Sequence, residues 1–369
     1  MYICTQQTTP AYLRCALGVV IYFIALLKLK IYVKPPLSYQ EQLDKLIERG
    51  LTVEHPDKAL HLLENLSYYR LSGYLYPMLS EPKEAHKFKE NSTLENAFKI
   101  YCFDRELKQL LSSEIEKIEV SFRAKITYVL SHKYDAFWYT YERLFKSNDT
   151  HRRSLDSTYA MVNESTEDFA IKFKQNYVNT YLPSWMALEI VTFTHLSKLY
   201  SNLIDSSAKT EIAAFYGVNT PILENWLMII TYTRNICAHH SRFWNRRLSY
   251  KLSKFKKQPI YDWVDMTDIP KNSSYAYICI VKYLSDRVNP KNTFKEKILG
   301  LLDKYPNIDN YKGMSFPQDW REQPLWKNNL NNTALVKEKE QKPKEEPLKI
   351  NTSLDDVLKA SIPKPKEKE

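Results

Sequence analysis

Glycine is scarce in this chain, six among 369 residues. That disfavours turn-rich barrels and glycine-loop nucleotide folds, whose tight corners need backbone that only glycine adopts freely. No GxGxxG or GxxxxGK[ST] string occurs, so neither a dinucleotide fold nor a P-loop is indicated. Cysteine is almost as thin. Cys4, Cys15, Cys102, Cys237 and Cys279 lie far apart without a CxxC pair, which reads as reduced, intracellular and zinc-free. Aromatic side chains are plentiful instead, with 27 tyrosines and 15 phenylalanines. A hydrophobic share of 44% and a charged share of 26% are those of a globular chain. Its length allows about one to three domains. A helical protein needs fewer special turns and fits so few glycines.

Acid is also in short supply. The formal net charge is +10, which favours polyanions, nucleic acid first and an anionic membrane surface second. The tail does not explain the excess, because nine lysines from Lys337 onward meet eight acids.

The sequence divides into five stretches. Residues 1–33 form an apolar amino-terminal extension. Within it Cys15 to Leu27 is an unbroken apolar or aromatic run of 13 residues, short of the roughly 20 that a spanning helix requires. Extension through Val33 takes in Lys28 and Lys30, which would have to snorkel. A membrane anchor, a signal-like leader, and a buried or artefactual extension all remain open. Residues 34–145 read as a helical region, 146–168 as a polar insertion or connection, 169–328 as a second helical region, and 329–369 as a disordered tail rich in lysine, glutamate and proline, with a short helix near Leu354 to Leu358.

Local signals place the helices. Ser38 with Glu41, Ser92 with Glu95, and Thr293 with Glu296 match capping boxes. Gly50 and Gly217 suit helix ends. Leu111, Ile115, Ile118, Phe122, Ile126 and Val129 recur at intervals of four and three, one face of a helix of roughly 30 residues. Glu114, Lys117 and Arg123 fall off that stripe, and Asp104, Arg105 and Glu106 read as solvated or paired charges. Pro183-Ser184-Trp185 opens a helix with Trp185, Leu188 and Leu199 facing a core. Thr220-Pro221 is an N-cap and first-turn pair for the next long helix. Two more helices fit Tyr275 to Asp286 and Phe294 to Lys304. The aromatics of Tyr68-Tyr69-Arg70-Leu71-Ser72-Gly73-Tyr74 can stack on bases around Arg70 or pack two helices together.

The most chemically informative stretch is Arg234-Asn235-Ile236-Cys237-Ala238-His239-His240-Ser241-Arg242. Two of the eight histidines are adjacent here, shortly after an arginine. Imidazole moves protons near neutral pH, and guanidinium is a fixed positive fork suited to phosphate. On a helix Asn235 and His239 share a face, with Arg242 one turn further, while Arg234 and His239 differ by about 140° around the axis. Cys237 raises a Cys-His nucleophile pair, but neighbouring helix positions diverge. Arg246, Arg247, Lys251, Lys254, Lys256 and Lys257 follow as candidate RNA contacts with Arg70, or as a solvated basic face. Cleavage of RNA by the substrate's own 2′-OH suits this set and needs no metal or other cofactor: histidine moves the proton and arginine binds the charge on phosphorus. A capping and hydrogen-bond cluster at a helix end is the bland alternative.

Arg234-Asn235-Ile236-Cys237-Ala238-His239 resembles the arginine-to-histidine signature of HEPN ribonucleases. The longer string through His240-Ser241-Arg242-Phe243-Trp244-Asn245-Arg246 resembles bacterial abortive-infection (Abi-like) proteins. Tyr68 to Tyr74, Phe103-Asp104-Arg105-Glu106-Leu107 and Leu182-Pro183-Ser184-Trp185-Met186-Ala187-Leu188-Glu189 match that family in order, and the resemblance covers about Pro35 to Leu284. It implies an all-helical fold of HEPN type, relatedness to RNA-guided RNA-cleaving effectors, and phage defence through host growth arrest. By position it makes Arg234 and His239 the catalytic pair, with Asn235, His240 and Arg242 in support. It implies an RNA substrate, a small regulatory or antitoxin RNA as partner, and a homodimer that brings two motifs together. A cytoplasmic location follows, with membrane contact through 15–33 the exception. A non-enzymatic RNA-binding protein and a membrane-associated effector are the alternatives.

Overall fold

The computed structural model describes residues 32–254 and 262–327. The extension through residue 31, Lys256, Lys257, and the tail with its short helix therefore lie outside the described residues. Among the described residues there are fourteen α-helices and no strand, as an all-α chain poor in glycine should give. No helix among them is long and apolar enough to cross a membrane. The described residues separate into two compact units, divided between Tyr101 and Cys102. That division falls earlier than residue 145, inside a helix.

In the first unit, α1 (Tyr39–Glu48), α2 (Pro56–Leu66) and α3 (Tyr68–Leu75) follow one another. The Ser38–Glu41 capping box forms reciprocally, with the Glu41 amide donating to Ser38 Oγ at 3.3 Å and the Ser38 amide to Glu41 Oε2 at 2.7 Å. Past Arg49, Gly50 turns the chain at φ +88°, a conformation that costs glycine little. Leu43, Leu46, Leu63, Leu71 and Tyr74 are buried, and Tyr74 meets Tyr101 edge-on at 5.6 Å. The aromatics of α3 split their duties. Tyr74 packs inside, whereas Tyr69 is 89% exposed.

Helix α4 (Leu94–Lys133) is 40 residues long, about 60 Å at 1.5 Å per residue and longer than its periodicity suggested. It begins one residue later than the Ser92–Glu95 box would place it. Thr93 Oγ1 accepts from the Asn96 amide at 3.0 Å, while Glu95 Oε1 accepts from the Glu54 amide. The apolar stripe from Leu111 to Val129 is buried throughout. Glu114 and Arg123, although off that stripe, are buried as well and are paired: Glu114 with Lys117 at 2.6 Å, and Arg123 with both Glu119 and the Leu188 carbonyl.

Residues 146–168 are a correction. They hold α5 (Asn148–Glu164), a 17-residue helix capped by Ser147, where polar composition had suggested a connection. Its buried face carries His151, Thr158 and Val162. The two polar members are satisfied inside, His151 by the Tyr139 carbonyl at 2.9 Å and Thr158 by the Ser154 carbonyl and His195. Polar residues can line a buried face when every group finds a partner.

The second unit continues through α6 (Asp168–Asn176), α7 (Ser184–Ile190), α8 (Phe193–Asn202), α9 (Ser207–Phe215), α10 (Thr220–Ala238), α11 (Ser274–Val288), α12 (Phe294–Lys304), α13 (Asn310–Met314) and α14 (Pro324–Lys327). Trp185 does not join the core; it is 50% exposed, and the helix it opens ends at Ile190, with Thr192 capping a new one. Asn219, rather than Thr220, caps α10, accepting from the Ile222 amide at 3.0 Å and leaving Pro221 in the first turn. At α12 the Thr293 side chain makes no capping bond, and Asn292 Oδ1 accepts from the Phe294 amide instead. Helix α11 is buried on every side from Ser274 to Asp286, as a helix surrounded by others must be. Helix α10 packs against α8, α9 and α11.

Candidate functional site

The motif occupies the last turn of α10 and the loop that follows. The helix stops at Ala238, so the expected continuation to Arg242 does not occur. His239 is the C-cap, and His240 adopts φ +54°. Its amide donates to the Cys237 carbonyl at 3.1 Å, and the Ser241 amide reaches back to the Ile236 carbonyl at 3.0 Å. This paired arrangement is a Schellman turn, with histidine where glycine is commonest. Histidine and asparagine enter the left-handed region more readily than most side chains, and Asn245 does so too, at φ +48°.

The turn is anchored from beneath by α4. Asp104, wholly buried, accepts from the Trp244 amide at 2.7 Å and from the Phe243 amide at 3.2 Å. Lys108, one helical turn later, pairs with Asp104 at 3.2 Å and donates to the carbonyls of Ser241 at 3.0 Å and His240 at 3.5 Å. Further along, Ser274 Oγ donates to the Phe243 carbonyl at 2.9 Å. The Trp244 indole lies against Gly313, where an added Cβ would sit 2.7 Å from the ring. The segment that carries the histidines is thus fixed through its backbone.

Two of its side chains are left open. Arg234 and His239 are exposed, and among the described residues neither has a side-chain hydrogen bond or ion pair. Asn235 is half-buried and donates to Thr194 Oγ1 at 3.4 Å, which ties the motif to α8. His240 is exposed and supplies the left-handed corner. Arg242 turns inward: its Nη1 donates to the carbonyls of Asn245 at 2.6 Å and Trp244 at 3.0 Å, so it braces the loop. Cys237 is buried, and burial pushes its thiol up to about 11, only partly countered by the Ser112 hydroxyl. A thiolate is the form that attacks, so burial works against the Cys-His pair.

Among the candidate RNA contacts, Arg246, Arg247, Lys251 and Lys254 are exposed along the chain just past the motif. Arg70 is exposed on α3 and belongs to the other unit. A pocket of about 560 Å³ in the first unit is lined by Ala59, Leu62, Leu94 and Phe98, and one of about 580 Å³ in the second by Glu164, Glu167 and Glu189. Neither is lined by a residue of the motif. Among the described residues no three His, Cys, Asp or Glu side chains gather as metal ligands would.

Sequence reasoning treated Asp104 as a solvated or paired charge and did not single out Lys108. Their spacing of four was readable as a helix pair. Their real partners stand more than 130 residues away, and nothing local marks such a contact.

An all-helical protein with an exposed arginine and histidine on an anchored helix end is the class that the fold and site define. The sequence model of Abi-like proteins matches residues 61–245, from within α2 to the loop after α10. The chain belongs to that family. No curated protein and no solved structure matches it.

Proposed function

We propose that this protein is a metal-independent endoribonuclease of HEPN type that serves as an abortive-infection or toxin effector in phage defence. The observation that carries the reading is the contrast within the motif: Arg234 and His239 are exposed and, among the described residues, have no side-chain hydrogen bond or ion pair, while the backbone that presents them is fixed by Asp104 and Lys108. A purely structural cap would spend those side chains on the helix end, as Arg242 is spent on the loop. Membership of the Abi-like family supports the abortive-infection role.

The chemistry follows from the groups. A histidine imidazole takes the proton of the substrate's 2′-OH, the oxygen attacks phosphorus, and the bond to the 5′-oxygen breaks. A proton returned to that oxygen leaves a 5′-hydroxyl and a 2′,3′-cyclic phosphate. Arginine binds the charge that builds on the nonbridging oxygens. DNA lacks the nucleophile, so the substrate is RNA. A homodimer would bring two arginines and two histidines to one phosphodiester, giving separate groups for taking and returning the proton. Arg246, Arg247, Lys251 and Lys254 supply phosphate contacts for the substrate or for a regulatory RNA.

The test is incubation of wild-type and His239→Ala protein with end-labelled RNA in EDTA, with the product ends identified. Wild type should release cyclic phosphates, and His239→Ala should slow the reaction by about 10²–10⁴-fold with its melting temperature unchanged, because the ring is exposed. Arg234→Ala should cost about 10²–10³-fold. RNA that is bound tightly but never cut by wild type would replace this reading with that of a non-enzymatic RNA-binding protein.

A further inference from the structure

We infer that Asp104 and Lys108 are positioning residues for the reaction at His239: a buried ion pair on one turn of α4 grips the motif loop by both polarities of its backbone. This rests on the ribonuclease reading above.

The two charges divide the loop between them. The ammonium of Lys108 holds the carbonyls of His240 and Ser241, the residues that follow His239 directly. The carboxylate of Asp104 holds the amides of Phe243 and Trp244. Both grips fall between the two left-handed corners, His240 and Asn245. Neither corner is glycine, so each tends to relax toward negative φ unless something holds it. The Schellman bonds reach only as far as the Ser241 amide. Beyond that point the Asp104 carboxylate, the inward Arg242 and the Ser274 hydroxyl keep the loop from turning away and carrying His239 with it.

An ion pair in such a place is a costly way to gain stability, since apolar replacements often serve as well. What it supplies that apolar residues cannot is directional bonding to four backbone groups of one loop. Catalytic geometry responds to small displacements, and about 1 Å of misplacement can cost about 10²-fold in rate.

The experiment uses the full chain and compares wild type, Lys108→Met, Lys108→Arg and Asp104→Asn, with His239→Ala as reference. Single-turnover cleavage at saturating RNA is measured beside the affinity for a 2′-deoxy analogue that cannot be cut. Lys108→Met should slow cleavage by about 10–100-fold while analogue affinity changes by less than about threefold. Lys108→Arg, which keeps a charged donor fork, should return to within about tenfold of wild type. Lys108→Met cleaving at the wild-type rate, or Lys108→Arg as slow as Lys108→Met, would overturn the inference.

If Lys108→Met does not fold, the near-isosteric Asp104→Asn carries the test through amide hydrogen exchange. The Phe243 and Trp244 amides should exchange at least about tenfold faster while those of α11 keep their protection. Uniformly faster exchange would mean general destabilisation and would sink the positioning role. A wild-type protein that never cleaves RNA, with this local opening still seen in Asp104→Asn, would remove the ribonuclease reading and leave the grip on the loop intact.

Discussion

The two ends of α10 belong to one 19-residue helix but are built in opposite ways. At the amino end Asn219 caps the first turn, and Ile222, Leu223, Trp226 and Leu227 are all buried. Trp226 stacks on Trp263 at 4.9 Å and meets Tyr283 edge-on at 5.0 Å. Glu224 reaches the buried Lys209 at 2.5 Å. Side chains there do the holding. At the carboxyl end Arg234, Ala238, His239 and His240 are exposed, and the holding is done through the backbone by residues of α4. The difference teaches how a fixed helix end can present open groups: among the described residues Arg234 and His239 stay uncommitted because main-chain bonds carry most of the constraint.

This contrast can be broken at either end. The largest effect on folding is expected at the amino end. Trp226→Ala should destabilise the protein by about 3–5 kcal/mol through loss of contact and a residual cavity, read from urea unfolding, where an exposed His239→Ala costs almost nothing. Equal losses from the two substitutions would erase the contrast.

A smaller change sharpens the carboxyl end. Gly313→Ala places a Cβ 2.7 Å from the Trp244 indole, and overpacking of this kind costs about 1–3 kcal/mol. Because Trp244 is held by Asp104, the damage should also reach the proposed RNA cleavage; an alanine variant with wild-type stability would show that the ring has room to yield.

Smaller still is the effect of the left-handed corner. His240→Gly removes the cost of φ +54° and should be neutral or stabilising by up to about 1 kcal/mol. A β-branched valine there should cost more than about 1 kcal/mol. Melting curves of the two variants decide whether the corner is strained as its dihedral implies.

The mildest test is by pH. His195, next to Thr194 in α8 but turned toward α5, has its ring nitrogen bonded to Ser154 and Thr158 at 3.0 and 2.9 Å. Burial, with a lesser contribution from Lys198, holds its pKa below the usual 6.5. The unfolded chain therefore binds the proton more readily. The stability from this residue is complete above about pH 6.5 and is lost as pH falls toward the folded value. Urea unfolding from pH 8 to pH 5 should show the decline, and His195→Gln should flatten it; an unchanged slope would assign the decline to other groups.

The sequence by itself determined the helical class, the long α4 stripe, the Ser38 capping box and the motif string, because periodicity, caps and short strings are local properties; that Arg234 and His239 stand open was decided by the structure. Several boundaries moved by one residue, as at Thr93 and Asn219, where a neighbouring side chain was the better acceptor. Residues 146–168 form a helix that composition does not show, because part of its buried polar face is satisfied by partners outside it, such as Tyr139 and His195. Tertiary structure alone decided that α10 ends at Ala238, that Arg242 turns inward, and that Asp104 and Lys108 meet a loop more than 130 residues away. The physical reason is range: helix propensity acts over one or two turns, whereas the bonds that fix the motif loop depend on which helices happen to lie beneath it.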